Sequence, residues 1–93
     1  MVVGAARVEL HVHGSQSLKQ KRGVVKSLIA RLRNRFNISV AEVGGQETWQ
    51  VAVLGLTTVA TDAVTARRRL EKAVDFIEDQ HLAEVTSQEI ETL

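Results

Sequence analysis

The chain has no cysteine, no proline and no tyrosine, and its aromatic side chains amount to Phe36, Trp49 and Phe76. Without cysteine there is no disulfide, no thiolate nucleophile and no Cys-ligated zinc, a composition that points to a cytoplasmic protein. Without proline, no helix or strand is interrupted from within. No apolar run approaches the roughly 18 residues that a membrane span requires, so a soluble protein with no membrane association is expected. The opening MVVGAARVEL carries a lone Arg7 and no apolar stretch leading to a small-residue cleavage site, unlike a secretory signal.

The most informative absence is of negative charge. Between Glu9 and Glu42 there is no Asp or Glu, whereas seven Lys and Arg residues fall in that gap. They lie in SLKQKRGVVKSLIARLRNRF, residues 17–36. The formal net charge of +1 conceals this segregation. A polyanion responds to the local potential of such a segment and not to the charge of the whole molecule.

What is present describes one domain: 93 residues suffice for one hydrophobic core, and an apolar content of 44% is ordinary for a folded chain. From Val2 to Val12, Ala6, Val8, Leu10 and Val12 alternate with Arg7, Glu9, His11 and His13, the period of a half-buried strand. Ser17 followed by Gln20 forms a capping box, and Leu18, Val25, Leu28, Ile29, Leu32 and Phe36 then recur at helical spacing, with an exit between Asn34 and Asn37. Two further strands, Asn37–Val43 and Trp49–Val59, flank Gly44-Gly45 and read as a hairpin. Thr61 or Asp62 caps a second helix with a core face of Ala63, Leu70, Ala73, Val74 and Ile77, ending near Gln80. A polar strand from Leu82 to Ile90 completes the order β-α-β-β-α-β. That order is an α+β, ferredoxin-like sandwich: a four-stranded antiparallel sheet with both helices on one face, the first and third strands central and the fourth at an edge.

The basic helix is the leading candidate site. Lys19, Lys21 and Arg22 occupy its first turns, where the helix dipole is already positive and each added cation costs ~0.3–1 kcal/mol. Together with the Ser15 and Ser17 hydroxyls and free backbone amides they could hold a phosphate. Lys19, Arg22, Lys26 and Arg33 also form a stripe suited to tracking a nucleic-acid backbone. Arg31, Arg33 and Arg35 complement the negative C-terminal end of the dipole and need no ligand to explain them. Gly23 permits either close backbone approach by a ligand or tight packing of helix against sheet.

Other features are weaker. His11 and His13 form an H-x-H pair that can bind zinc, yet with no Cys and only His81 elsewhere they read as sheet-surface histidines beside Glu9, and no metal or cofactor is expected. No GxSxG, P-loop or HExxH motif is present, so the chain is expected to be non-enzymatic. The fold admits one enzymatic rival, an acylphosphatase-like site using Arg22 and Asn37, but the loop HGSQS lacks the glycine-rich pattern such a site carries. Trp49 is expected to open the third strand and pack on the core, with base stacking as the competing role. Apolar residues on the open sheet face, either Val51 and Val53 or Ala52, Leu54 and Leu56, predict a homo-oligomer formed through the sheet or its edge.

The run SLKQKRGVVKSLIARLRNRFNISVAEVG, followed by WQVAVLG, resembles the YlxP-like family of small bacterial proteins, a domain of unknown function, over nearly the whole chain. The resemblance implies a ferredoxin-like fold and no established catalytic residue or cofactor. Genes of similar proteins often lie beside those of a translation initiation factor and a ribosome-binding factor, which implies a role near ribosomes. Two departures stand out: Gln20 replaces a common Glu, and His13 precedes Gly14 where Pro is common. The expected function is a non-enzymatic accessory protein that binds RNA or a ribosomal subunit through Lys19, Lys21, Arg22, Lys26 and Arg33. The alternative is a structural or regulatory homo-oligomer that binds a protein or a small anion.

Overall fold

The computed structural model describes residues 1–93 as β1 (Val2–His11), α1 (Leu18–Arg35), β2 (Ser39–Gly44), β3 (Val51–Ala60), α2 (Ala63–Asp79) and β4 (Glu84–Thr92). The strands form one antiparallel sheet in the order β2-β3-β1-β4. Both helices cover the same face, giving the ferredoxin-like sandwich that the order of elements predicts. No helix is long and apolar enough to cross a membrane.

Alternation along β1 places Ala6, Val8 and Leu10 in the core and leaves Arg7, Glu9 and His11 on the open face. β3 is apolar on both parities, and tertiary packing makes the choice: Ala52, Leu54 and Leu56 join the core, while Val51 and Val53 pair across the open face with His11 and Glu9. On α1, Val25, Leu28 and Leu32 are buried, each leucine contributing about 1.5–3 kcal/mol relative to an exposed one. On α2 the buried stripe is Ala66, Leu70, Ala73, Val74 and Ile77. Ala66 takes the place expected of Ala63, which lies exposed in the first turn. Asp62 caps this helix, accepting from the Thr65 amide at 2.8 Å and the Thr65 hydroxyl at 2.9 Å.

The hairpin differs from its sequence expectation. β2 ends at Gly44 and β3 begins only at Val51, leaving residues 45–50 as the connection. Gly45 has φ +74°, and a Cβ there would stand 2.7 Å from the Val51 carbonyl oxygen, so glycine is required. Trp49 lies in this connection and is 55% exposed, neither opening a strand nor packing on the core. Lys21 bridges the base of this connection, its ammonium donating to the carbonyls of Gly45 and Val51.

Candidate functional site

The seven cations of α1 divide by the helical face they occupy. Lys21 stands four residues before Val25 and seven before Leu28, on the stripe that faces the core, and its side chain has no exposure to solvent. Its ammonium donates to Gly45 O and to Val51 O at 3.1 Å, and lies 3.4 Å from Glu42 Oε2. Glu42 shares the inward parity of Val40 on β2, so each partner projects from a core position of its own element. The expectation that Lys21 contacts a phosphate is therefore corrected: its ammonium is buried, donates to two carbonyls and lies in charge contact with the Glu42 carboxylate, and it clamps α1 to the β2–β3 connection.

The helix start is also more self-contained than expected. The Ser17 hydroxyl accepts from the Gln20 amide at 3.1 Å, as the capping box requires. Gln20 Oε1, however, reaches one residue beyond the cap and accepts from the Gln16 amide at 2.7 Å. Ser15 is buried, and its hydroxyl donates to the Ser17 carbonyl at 3.1 Å. The Ser15 hydroxyl proton is thus committed to the helix start, while the Ser17 oxygen is engaged there as an acceptor. Gly23 faces open space, with nothing within 4 Å of a Cβ built on it, which removes helix–sheet packing as its explanation.

Lys19, Arg22, Lys26 and Arg33 remain exposed. At about 100° per residue, spacings of three, four and seven confine them to a sector of about 60° on the helix. Arg22, Lys26 and Arg33 line a groove of about 450 Å³ between α1 and the outer strand β2, floored by Val25, Ile29 and Val40. Arg33 Nη2 donates to the Val40 carbonyl at 2.8 Å, which fixes its guanidinium over the strand and leaves its other donors free. The Lys and Arg ion pairs of the molecule are Arg7–Glu9 and Lys21–Glu42, so no exposed cation of α1 is neutralised by an acid. The two remaining arginines are held differently: Arg31 donates to Gln80 Oε1 at 2.7 Å, and Arg35 lies 5.5 Å from the centre of the Phe76 ring.

Residues 3–90 match the model of a protein family of unknown function, DUF503. The chain is also 35% identical over 77 residues to the uncharacterized protein YlxP of Bacillus subtilis (strain 168), covering 83% of this chain and 84% of that protein. The chain belongs to the YlxP-like DUF503 family. Among solved structures, this DUF503 chain is similar to the de novo designed protein Foldit4, with TM-score 0.51 and 18% identity over 99% of this chain and 94% of that one. That likeness reflects the fold alone. A dimeric ferredoxin-like protein of unknown function from Thermobifida fusca YX gives TM-score 0.40 and 13% identity over 98% and 90% of the two chains.

Within this DUF503 chain the acylphosphatase-like pairing is not assembled. Arg22 lies in the second turn of α1 and Asn37 follows its C-terminus, roughly 20 Å farther along the axis at 1.5 Å per residue. By contrast, His11 and His13 are brought to Glu84, 71 residues beyond His13, with His13 Nε2 to Glu84 Oε1 at 2.8 Å. Nothing local in the sequence joins Glu84 to the H-x-H pair. Lys21 was more legible, since a lysine at an i−4, i−7 position relative to buried Val25 and Leu28 already lies on the apolar stripe.

Proposed function

We propose that this DUF503 chain is a non-enzymatic, RNA- or ribosome-associated protein that binds the phosphate backbone through the outer face of α1. Lys19, Arg22, Lys26 and Arg33 make the phosphate contacts, and the groove between α1 and β2 seats the strand. Support comes chiefly from the unpaired stripe: four exposed cations share one helix face with no acidic partner. Solvated helices ordinarily interleave acids at i to i+4 spacing, and this face does not. Its charge is free to be matched by an external polyanion, with counterion release as the driving term.

The test is binding of a fluorescent single-stranded RNA oligonucleotide, and of ribosomal subunits, at two salt concentrations. With about four phosphate contacts, log K is expected to fall by roughly 3 per tenfold rise in salt, at about 0.7 per contact. The variant Lys19→Glu/Arg22→Glu/Lys26→Glu is expected to abolish binding at low salt. Failure of the native chain to bind either ligand at low salt would end the proposal; equal binding by the variant would move the interface elsewhere.

A second reading, self-association through the open sheet face, draws support from Val43 and Val59, which are 57% and 54% exposed there. Sedimentation of the native chain and of Val43→Glu/Val59→Glu tests it: a dimer that dissociates in the variant favours it, and a native monomer at high concentration removes it.

A further inference from the structure

At the end of the sheet that adjoins the start of α1, two imidazoles and a carboxylate converge on the open face. His11 Nδ1 lies 3.0 and 3.2 Å from the two ring nitrogens of His13, and His13 Nε2 lies 2.8 Å from Glu84 Oε1. One donor atom from each residue falls within 4.8 Å of the other two. In a tetrahedral zinc site with bonds of about 2.0–2.1 Å, neighbouring donor atoms stand roughly 3.3 Å apart, so the side chains are already close to ligand spacing.

The backbone, and not chance surface proximity, makes this cluster. From Gly4 to Glu9, β1 pairs with β4 in a constant register that ends at Glu9 opposite Ser87. Continued unbroken, that register would set Val85 opposite His11. Instead it shifts by one residue, so that Leu10 faces Val85 and His11 faces Glu84. The extra residue is Thr86, whose hydroxyl donates to the Glu9 carbonyl at 3.2 Å and anchors the bulge. A bulge of this kind re-aims the side chains that follow it. Here it turns Val85 toward the core, where it packs against buried residues, and presents Glu84 to the histidines. His13 is supplied from the other side by the turn after β1, closed by the Ser15 amide on the Val12 carbonyl at 3.4 Å.

We propose that His11, His13 and Glu84 form a binding site for one divalent transition-metal ion of the zinc class. Two imidazoles and one carboxylate are the donor types that Zn²⁺ takes, and three protein ligands leave a fourth position open to water or an exogenous ligand. Bound metal would tie the β1–α1 turn to β4 through the two imidazoles and the carboxylate. The site is independent of the RNA reading, because none of its ligands belongs to the basic stripe.

The test is titration with Zn²⁺ in competition with a chromophoric chelator, together with visible spectroscopy of the Co²⁺ form. One ion per chain is expected, with Co²⁺ bands typical of four or five ligands. His11→Ala, His13→Ala and Glu84→Gln are each expected to weaken Zn²⁺ binding by more than about tenfold, the scale at which even outer groups of metal sites act. His81→Ala, which removes the one histidine outside the cluster, is expected to leave affinity unchanged. Circular dichroism confirms folding of each variant, and the exposed positions of His13 and Glu84 make their variants safe to compare. Absence of stoichiometric Zn²⁺ binding by the native chain overturns the proposal, as does affinity in the three ligand variants equal to that of the native chain.

Discussion

The two edges of the sheet carry opposite charge. Beside β2, Arg22, Lys26 and Arg33 of α1 line the groove, whereas β4 presents Glu84, Glu89 and Glu91, all exposed. A net charge of +1 thus conceals these two patches, while α2, with Arg67, Arg68, Arg69 and Lys72 beside Glu71, Asp75, Glu78 and Asp79, is mixed in sign. For a polyanion this makes approach directional, attracted at one edge and repelled at the other. The comparison also separates two kinds of basic residue on one helix. Lys21 is matched by Glu42 inside the protein, while its neighbour Arg22 faces outward with no acid to meet it.

The largest expected effect comes from erasing the matched cation. Lys21→Met leaves Glu42 half-buried without its partner and frees two carbonyls, and chemical denaturation is expected to show a loss of about 3–5 kcal/mol. Lys21→Met/Glu42→Leu is expected to recover part of that loss, because the uncompensated carboxylate is gone. Wild-type stability for Lys21→Met would mean that the β2 edge does not depend on the clamp.

Reversing charge at each edge in turn sharpens the contrast next. Arg22→Glu/Lys26→Glu is expected to lower RNA affinity at low salt by more than about tenfold, since two phosphate contacts become two repulsions. Glu89→Lys/Glu91→Lys, at the opposite edge, is expected to leave affinity within about threefold, the residual change being long-range and screened by salt. Equal responses at the two edges would show that only overall charge matters.

A smaller effect is expected at Gly23. Gly23→Ala places a better helix former at an exposed site with room for the methyl group, and thermal unfolding is expected to show a gain of about 0.5–1 kcal/mol. If stability rises while RNA affinity falls, the backbone at Gly23 is part of the interface; if both are unaffected, its glycine has neither role.

The least effect belongs to α2, far from the basic groove. Asp62 is held below its ordinary value of 3.8, chiefly by the Thr65 backbone amide and then by the Thr65 hydroxyl. A depressed carboxylate contributes stability above its unfolded value and loses it as pH falls through the folded value. Asp62→Asn is therefore expected to flatten a small part of the acid limb below about pH 4, read from thermal unfolding as a function of pH, while leaving neutral-pH RNA binding unchanged.

Strand and helix positions were legible because each depends on short periodicities. The alternation of Ala6, Val8 and Leu10, and the 3.6-residue recurrence of Val25, Leu28 and Leu32, are visible within about a dozen residues and survive folding intact. Ser17 and Asp62 were readable as caps for the same reason. Trp49 lies outside β3 because the β2–β3 connection runs over residues 45–50, longer than the Gly44-Gly45 pair alone suggests, and is bridged at its base by Lys21 from a distant helix. The phosphate cradle expected at the start of α1 is not assembled as a set: Ser15 donates to the Ser17 carbonyl, the Ser17 oxygen accepts from the Gln20 amide, and Lys21 is buried against two carbonyls beside Glu42.

By itself, the sequence determined the six elements, their order, most of the core face of each helix and the segregation of positive charge onto one of them. These follow from local backbone and side-chain geometry, in which a residue's neighbours along the chain decide its direction. Only the tertiary structure decided which cations remained free, which parity of β3 faced inward, and that Glu84 meets His11 and His13. Those outcomes depend on strand register and on contacts between distant segments, where a bulge of a single residue turns one side chain outward and the next one in.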